Sequence, residues 1–224
     1  MLTLGLDTAT SWGSVGLYHE GPLGEISCRR MARRNDPLVP SLQRLFETLN
    51  VDKSDLELIA VALGPGSFTS LRVGVSLAKG LALALNVPVV GVASLPLFAG
   101  RGRHWHGDVC ALITDRPTQA YVAWSGQGQP LSDISVLDID ALQQTLQATS
   151  TPVLMIGPGA NSIFEAMVPM DHVEVADETT CQPSGIEVAR QGIQQFKATG
   201  ADDLAALEPL YSAPPAIDPS AAKR

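Results

Sequence analysis

The feature that most restricts this chain is a pattern that occurs twice. Leu58 to Leu63 is a near-continuous apolar run ending in Gly64-Pro65-Gly66, as expected of a strand covered on both faces and closed by a tight turn. Val153 to Ile156 runs into Gly157-Pro158-Gly159 in the same way, and each turn leads into a helical pattern. Ahead of each lies a strand, turn, strand arrangement: Leu2 to Thr8 returning through Ser14 to His19, and Cys110 to Thr114 returning through Gln119 to Trp124. Asp7 stands eight residues before Val15, and Asp115 seven before Val122. Two echoes in the same order imply duplication. Strand–turn–strand units followed by strand-to-helix units imply two α/β lobes with mixed sheets, expected over residues 1–103 and 104–224.

Between the echoes the first half carries two apolar helices. In one, Asp36 reads as a cap and Pro37 as the first helical position, with Leu38, Leu42, Leu45, Phe46 and Leu49 recurring at helical spacing. The other runs from a Ser67 cap to Asn86 and is apolar on nearly every side, with Arg72 and Lys79 its only charges. Such a helix needs cover all round. One sheet face supplies about half, so a neighbouring helix or another chain must supply the rest, and Gly74, Ala78 and Ala82 at four-residue spacing would permit close approach. Two readings follow: an association surface formed by Leu38, Leu42, Leu45, Phe46, Leu49, Leu71, Gly74, Val75, Ala78, Leu81 and Ala82, or a wholly internal helix. Ile186, Ala189, Ile193 and Phe196 mark a further amphipathic helix, and the Pro- and Ala-rich tail after Tyr211 is expected to be loose.

Apolar residues outweigh charged ones, 45% to 17%, which excludes a disordered chain. The net charge of −8 argues against gripping nucleic acid unaided. The charge is uneven: residues 1–116 hold 11 bases and 10 acids, whereas 117–224 hold 4 bases and 13 acids. Arg29, Arg30, Arg33 and Arg34 form one basic cluster, read as a solvated surface or an RNA or nucleotide contact. Cys28, Cys110 and Cys181 are far apart and form no Cys-x-x-Cys pair, so a reducing cytoplasm is expected. The opening residues read as a strand and not as a signal peptide. The greasiest stretch, Gly80 to Ala99, is broken by Asn86, Pro88, Ser94 and Pro96 and is not expected to span a membrane.

Several residues invite a chemical reading. The Gly-Pro-Gly turns, at Gly64, Gly66 and Ser67 and at Gly157 and Gly159, could cradle a phosphate on free backbone N–H groups, or serve as tight structural turns. Pro65 removes one donor and no Gly-Lys-Ser/Thr follows, which excludes a Walker A loop. Asp7, beside Thr8, and Asp115 each end a strand and could hold Mg²⁺ on a nucleotide, or cap their own turns. The histidines His19, His104, His106 and His172 form no His-x-x-x-His pair, and His104-Trp105-His106 reads as an exposed loop between the lobes. No Gly-x-Ser-x-Gly elbow supports Ser67 or Ser70 as a nucleophile. Neither a catalytic residue nor a metal site is expected.

Leu4-Gly5-Leu6-Asp7-Thr8-Ala9-Thr10, Leu63-Gly64-Pro65-Gly66-Ser67-Phe68-Thr69-Ser70-Leu71-Arg72-Val73-Gly74, Ala78-Lys79-Gly80-Leu81 and Gly91-Val92-Ala93-Ser94-Leu95 closely resemble the bacterial tRNA threonylcarbamoyladenosine biosynthesis proteins of the TsaB (YeaZ) family. The resemblance is strongest over residues 1–100. It implies a duplicated actin/Hsp70-like fold (ASKHA, RNase H-like). It also implies a cytoplasmic accessory subunit that pairs with its catalytic paralogue TsaD, or with itself when alone, and works with the ATPase TsaE. Together they would transfer threonylcarbamoyl to the adenosine beside the anticodon in tRNAs reading codons that start with A. ATP or ADP would belong to the complex, with no cofactor required here and tRNA reached only through the complex. The runner-up is a small-molecule kinase or ATPase of the same fold class, using Asp7, Asp115 and the two turns.

Overall fold

The computed structural model describes residues 1–29, 37–116, 118–126 and 129–210, without the side chain of Asp115. Asp36, Arg30, Arg33, Arg34 and the tail from Tyr211 onward lie outside the described residues.

The first sheet begins as a meander, β1 (Thr3–Asp7), β2 (Trp12–Tyr18) and β3 (Pro22–Arg29), with both pairings antiparallel. After α1 (Leu38–Leu49), β4 (Leu58–Gly64) adds in parallel beside β1. Helix α2 (Phe68–Leu85) then returns the chain to β5 (Val89–Ala93), parallel to β4. The spatial order is β3-β2-β1-β4-β5. Helix α3 (Ser94–Arg101) crosses over, and the plan repeats with β6 (Asp108–Arg116), β7 (Gln119–Ser125), β8 (Ser135–Asp138), α4 (Ile139–Gln147), β9 (Val153–Ile156), α5 (Ala160–Glu165) and β10 (Val173–Val175). The second order, β10-β9-β6-β7-β8, is the first with every strand replaced by its counterpart. Helix α6 (Gly185–Thr199) follows.

The two halves exchange their last helices: α3 packs on β6 and β7 of the second sheet, and α6 on β1, β2, β4 and β5 of the first. Strand alternation sorts the first sheet's side chains between the resulting layers. Leu4, Leu6, Ile59 and Val61 face α1 and α2, burying Leu42, Leu45, Phe46, Val75 and Ala78 beneath them. Ala60, Ala62, Val90 and Val92 face the other way and meet Val188 of α6. Gly5 and Gly16 are paired in β1 and β2, and they let the start of α6 settle onto bare backbone. A Cβ on Gly5 would lie 1.8 Å from the Gly185 carbonyl oxygen, and one on Gly16 2.4 Å from the Ile186 nitrogen.

One local reading needs correction: Pro37 sits at the N-cap of α1, one position before the first helical residue. Ser94 and Pro96, which interrupt the apolar stretch, lie in the first turn of α3, where proline is tolerated because the N–H it lacks has no helical partner. Asp7 is the last residue of β1, opposite Ser14, and Asp115 lies one residue before the end of β6, where the β6–β7 ladder slips.

A strap over residues 201–210 covers the outer edge of β5 and α2. The Asp202 N–H donates to the Val89 carbonyl, and the Gly91 N–H to the Asp202 carboxylate at 2.7 Å. Lys79 Nζ donates to the Ala205 and Leu207 carbonyls at 3.1 and 3.2 Å, and Leu207 is buried in the first lobe's core. Helix α2 is long and apolar enough by composition to cross a membrane, but its Leu71, Val75, Ala78 and Ala82 are buried inside the protein.

Candidate functional site

Two features stand out: a cleft between the sheets and the outward face of α1 and α2. The cleft encloses about 740 Å³. The first lobe contributes Thr10, Ser11 and Trp12 beyond β1, with Ser67 and Ser70 at the start of α2; the second contributes Gly157, Gly159, Asn161 and Ser162. Among the described residues, the charged groups lining it are Arg29, Glu165 and Glu178. Among the described residues, no three His, Cys, Asp or Glu side chains converge as a metal-binding group.

The sequence-selected residues divide by depth. Ser67, Gly157 and Gly159 line the cleft, whereas Asp7 and Thr8 are buried. Asp7 is 1% exposed, and its Oδ1 accepts the Ala9 N–H at 2.9 Å. Burial pushes its carboxyl up to about 6, and the Ala9 hydrogen bond only partly opposes this. Thr8 Oγ1 donates to the Ser70 carbonyl at 2.8 Å, tying β1 to the first turn of α2. Gly74 faces this hydroxyl: a Cβ there would lie 2.2 Å from Thr8 Oγ1.

Both turns already use backbone donors internally. Gly64, at φ +92°, and Gly159, at φ +99°, hold left-handed conformations that favour glycine. The Ser67 N–H donates to the Ala9 carbonyl at 2.7 Å, beside the donor-less Pro65. Gly66 packs on the same carbonyl, where a Cβ would come within 2.1 Å of the oxygen. In the second turn the Gly157 N–H donates to Cys181 Sγ at 3.2 Å. Burial pushes the Cys181 thiol up, favouring its neutral form. Ser67 occupies the N-cap position of α2 without a side-chain cap.

The outward face of α1 and α2 differs from its sequence outline. Leu38, Leu42, Leu45, Phe46, Leu71, Gly74, Val75, Ala78 and Ala82 are buried within the protomer, and Leu49 and Leu81 are half-buried. The Gly74–Ala78–Ala82 row therefore serves packing inside the lobe. Three positions around the helix, Ser76, Gly80 and Ala84 form a second row at the same spacing, and these are exposed. Nothing lies within 4 Å of where a Gly80 Cβ would be. Val39 at 57%, Val73 at 38% and Leu83 at 74% exposure flank the row with apolar surface. A groove of about 150 Å³ between the helices is lined by Val39, Leu77, Leu81 and Leu85. Helix α2 is not wholly internal: the sheet covers one side and no element of this chain covers the opposite one among the described residues.

Arg29 is exposed at the cleft rim. His104 and His106 are exposed in the loop between α3 and β6, where Trp105 Nε1 reaches the Pro152 carbonyl at 3.5 Å. Sequence reading missed Arg101, Glu25 and the 176–184 connector. Their partners lie up to 161 residues away, a separation at which no local pattern carries a signal.

Two mirrored sheets with exchanged helices, closing on a cleft, define an actin/Hsp70-like two-lobed α/β protein. The model of a family described as TsaD, tRNA N6-adenosine threonylcarbamoyltransferase, matches residues 31–206. The tRNA threonylcarbamoyladenosine biosynthesis protein TsaB of Bacillus subtilis (strain 168) is 31% identical over 163 residues, 70% of this chain and 71% of that protein. YeaZ from Pseudomonas aeruginosa superposes with a TM-score of 0.74 at 24% identity, covering 94% of this chain and 99% of that one. An activator of 2-hydroxyisocaproyl-CoA dehydratase from Clostridium difficile, solved with ADPNP, shares the fold at a TM-score of 0.52 and 11% identity, covering 89% of this chain and 97% of its own. The chain belongs to the TsaB (YeaZ) family of tRNA threonylcarbamoyladenosine biosynthesis proteins.

Proposed function

We propose that this chain is a non-catalytic accessory subunit in tRNA threonylcarbamoyladenosine biosynthesis, acting in the cytoplasm by docking the α1–α2 face on the catalytic paralogue TsaD, with the ATPase TsaE as third component. The observation that carries this reading is the exposed Ser76–Gly80–Ala84 row flanked by Val73 and Leu83. Small residues at four-residue spacing let a second helix approach closely, and the flanking apolar side chains supply the burial. The TsaD family model spans both helices, so a partner of that family would present an equivalent pair, and a second copy of this chain could take its place. The sequence holds no His-x-x-x-His pair, the motif through which the family resemblance places the paralogue's metal. With a net charge of −8, tRNA contact falls mainly to the partner. A subunit that binds only the active arrangement of its partner stabilises that arrangement by mass action.

The test is a Gly80→Arg/Leu83→Asp variant, assayed for TsaD capture and for threonylcarbamoyl transfer in a reconstituted system. Both should be lost while the circular dichroism of the protein is unchanged. Normal capture by the folded variant would overturn the interface.

A second reading, an ATP-dependent kinase or ATPase of the same fold, draws on the raised carboxyl of Asp7, since perturbed carboxylates concentrate at functional sites. Calorimetry with Mg-ATP on the isolated protein separates the two. Micromolar binding abolished by Asp7→Asn would favour the enzyme.

A further inference from the structure

The chain passes between the lobes twice, through α3 and through the connector 176–184, and one side chain ties these passages together. Arg101 ends α3, and its Nη1 donates to the carbonyls of Thr180 and Gln182, both at 2.6 Å. Its guanidinium is steadied 4.9 Å from the Phe98 ring centroid. The connector is held to the second lobe by the Gly157 N–H on Cys181 Sγ and folded on itself by the Cys181 N–H on the Asp177 carbonyl at 3.1 Å. Its far end is held to the first lobe by Glu25, which accepts from Ser14 Oγ at 2.6 Å, Ser184 Oγ at 3.2 Å and the Ile186 N–H at 3.4 Å. Gln182 lines the cleft as well as meeting Arg101.

We infer that Arg101 is a hinge lock, fixing the opening of the cleft by preventing the two passages from moving independently. Rotation of one lobe against the other must change φ and ψ in these passages, since they are where the chain crosses. A guanidinium bonded to two carbonyls of the second passage from the end of the first opposes that change. The lock needs no ligand.

Its test combines Arg101→Ala with two readouts. Spin labels at Thr48→Cys in α1 and Gln144→Cys in α4, both exposed, report the distance between lobes in a Cys28→Ser background, diluted with unlabelled protein so that only intramolecular distances count. Cys110 and Cys181 are buried and stay unlabelled. Hydrogen exchange reports the connector directly. Arg101→Ala should at least double the width of the distance distribution and speed exchange at the Cys181 and Gln182 amides at least ten-fold, with exchange at Val61 and Leu112 in the sheet cores unchanged. A parental distance distribution with parental connector exchange would overturn the lock, as would equal acceleration at core and connector amides, which marks general destabilisation. If Arg101→Ala does not fold, Arg101→Gln, shorter and uncharged, should give the same pattern at about three-fold or more, and parental behaviour there overturns the lock equally.

Discussion

The two lobes share a strand order and differ in what they do with their outer helices. In the first, α1 and α2 run over 12 and 18 residues. In the second, the counterparts α4 and α5 run over 9 and 6. The second lobe's α4 buries Leu142 and Leu146 and turns Gln144, Thr145 and Gln147 outward, so its surface is finished as solvent surface. The first lobe's α2 buries one side and leaves Val73, Leu83 and a row of small residues outside. The shared topology therefore leaves the two outer faces different in composition. A second difference lies beneath the exchanged helices. The first two strands of the first sheet pair Gly5 with Gly16, and those of the second sheet pair Ala111 with Ala123. The glycine pair admits helical backbone onto bare strand, while the alanine pair keeps a methyl group on each strand.

The largest effect should come from erasing that second difference. Gly5→Ala drives a Cβ into the Gly185 carbonyl, which neither backbone can vacate, and should cost about 3 kcal/mol or more in urea unfolding. The mirror change Ala111→Gly should cost about 1 kcal/mol. Equal costs would mean that the two sheets accept their helices alike.

Next comes the outer face. Gly80→Arg/Leu83→Asp should weaken capture of the partner at least ~100-fold, about 2.7 kcal/mol, while the same two residue types at Gln144 and Gln147 of α4 should leave it unchanged. Titration by biolayer interferometry distinguishes the lobes. Loss with both variants would indicate general charge repulsion and not a lobe-specific face.

Asp7, buried at the end of β1, offers a third contrast. Burial pushes its folded carboxyl up from the ordinary 3.8 to about 6. The folded state thus holds its proton where the unfolded state has released it, and stability falls as pH rises from about 4 through about 6. Asp7→Asn, which keeps an acceptor for Ala9, should stabilise the protein at pH 7 by up to about 3 kcal/mol and leave it unchanged below pH 4. A gain independent of pH would show that the charge is not responsible. The smallest effect is expected from Lys79→Ala. Loss of two hydrogen bonds to the strap should cost about 1 kcal/mol and speed amide exchange at Gly91 and Leu210 ahead of the rest.

Much of the frame was legible because it is periodic or punctuated. The apolar runs into Gly-Pro-Gly, the Leu38 to Leu49 stripe and the Ile186 to Phe196 stripe each announce an element through local chemistry. Helix α3 went unread because its eight residues, which hold Pro96 and Gly100 and are followed by Gly102, carry no clear helical stripe. The cleft was half legible. Its turns are visible in sequence, yet whether their N–H groups face a ligand or a neighbouring carbonyl or thiol depends on Ala9 and Cys181, which no motif links to them. The outward face of α2 was displaced by one row, since a helix apolar all round does not say which side the sheet takes.

From its residues alone, then, this chain declares its duplication, its strand polarity and its family, because alternation, turn residues and motif spacing act over a few positions. Folding settled the rest: that α3 and α6 change lobes, that Ser76, Gly80 and Ala84 and not Gly74, Ala78 and Ala82 face outward, and that Arg101 meets a connector some 80 residues away. These depend on which surfaces meet at long range, and burial and hydrogen bonding choose among such meetings only once both partners are in place.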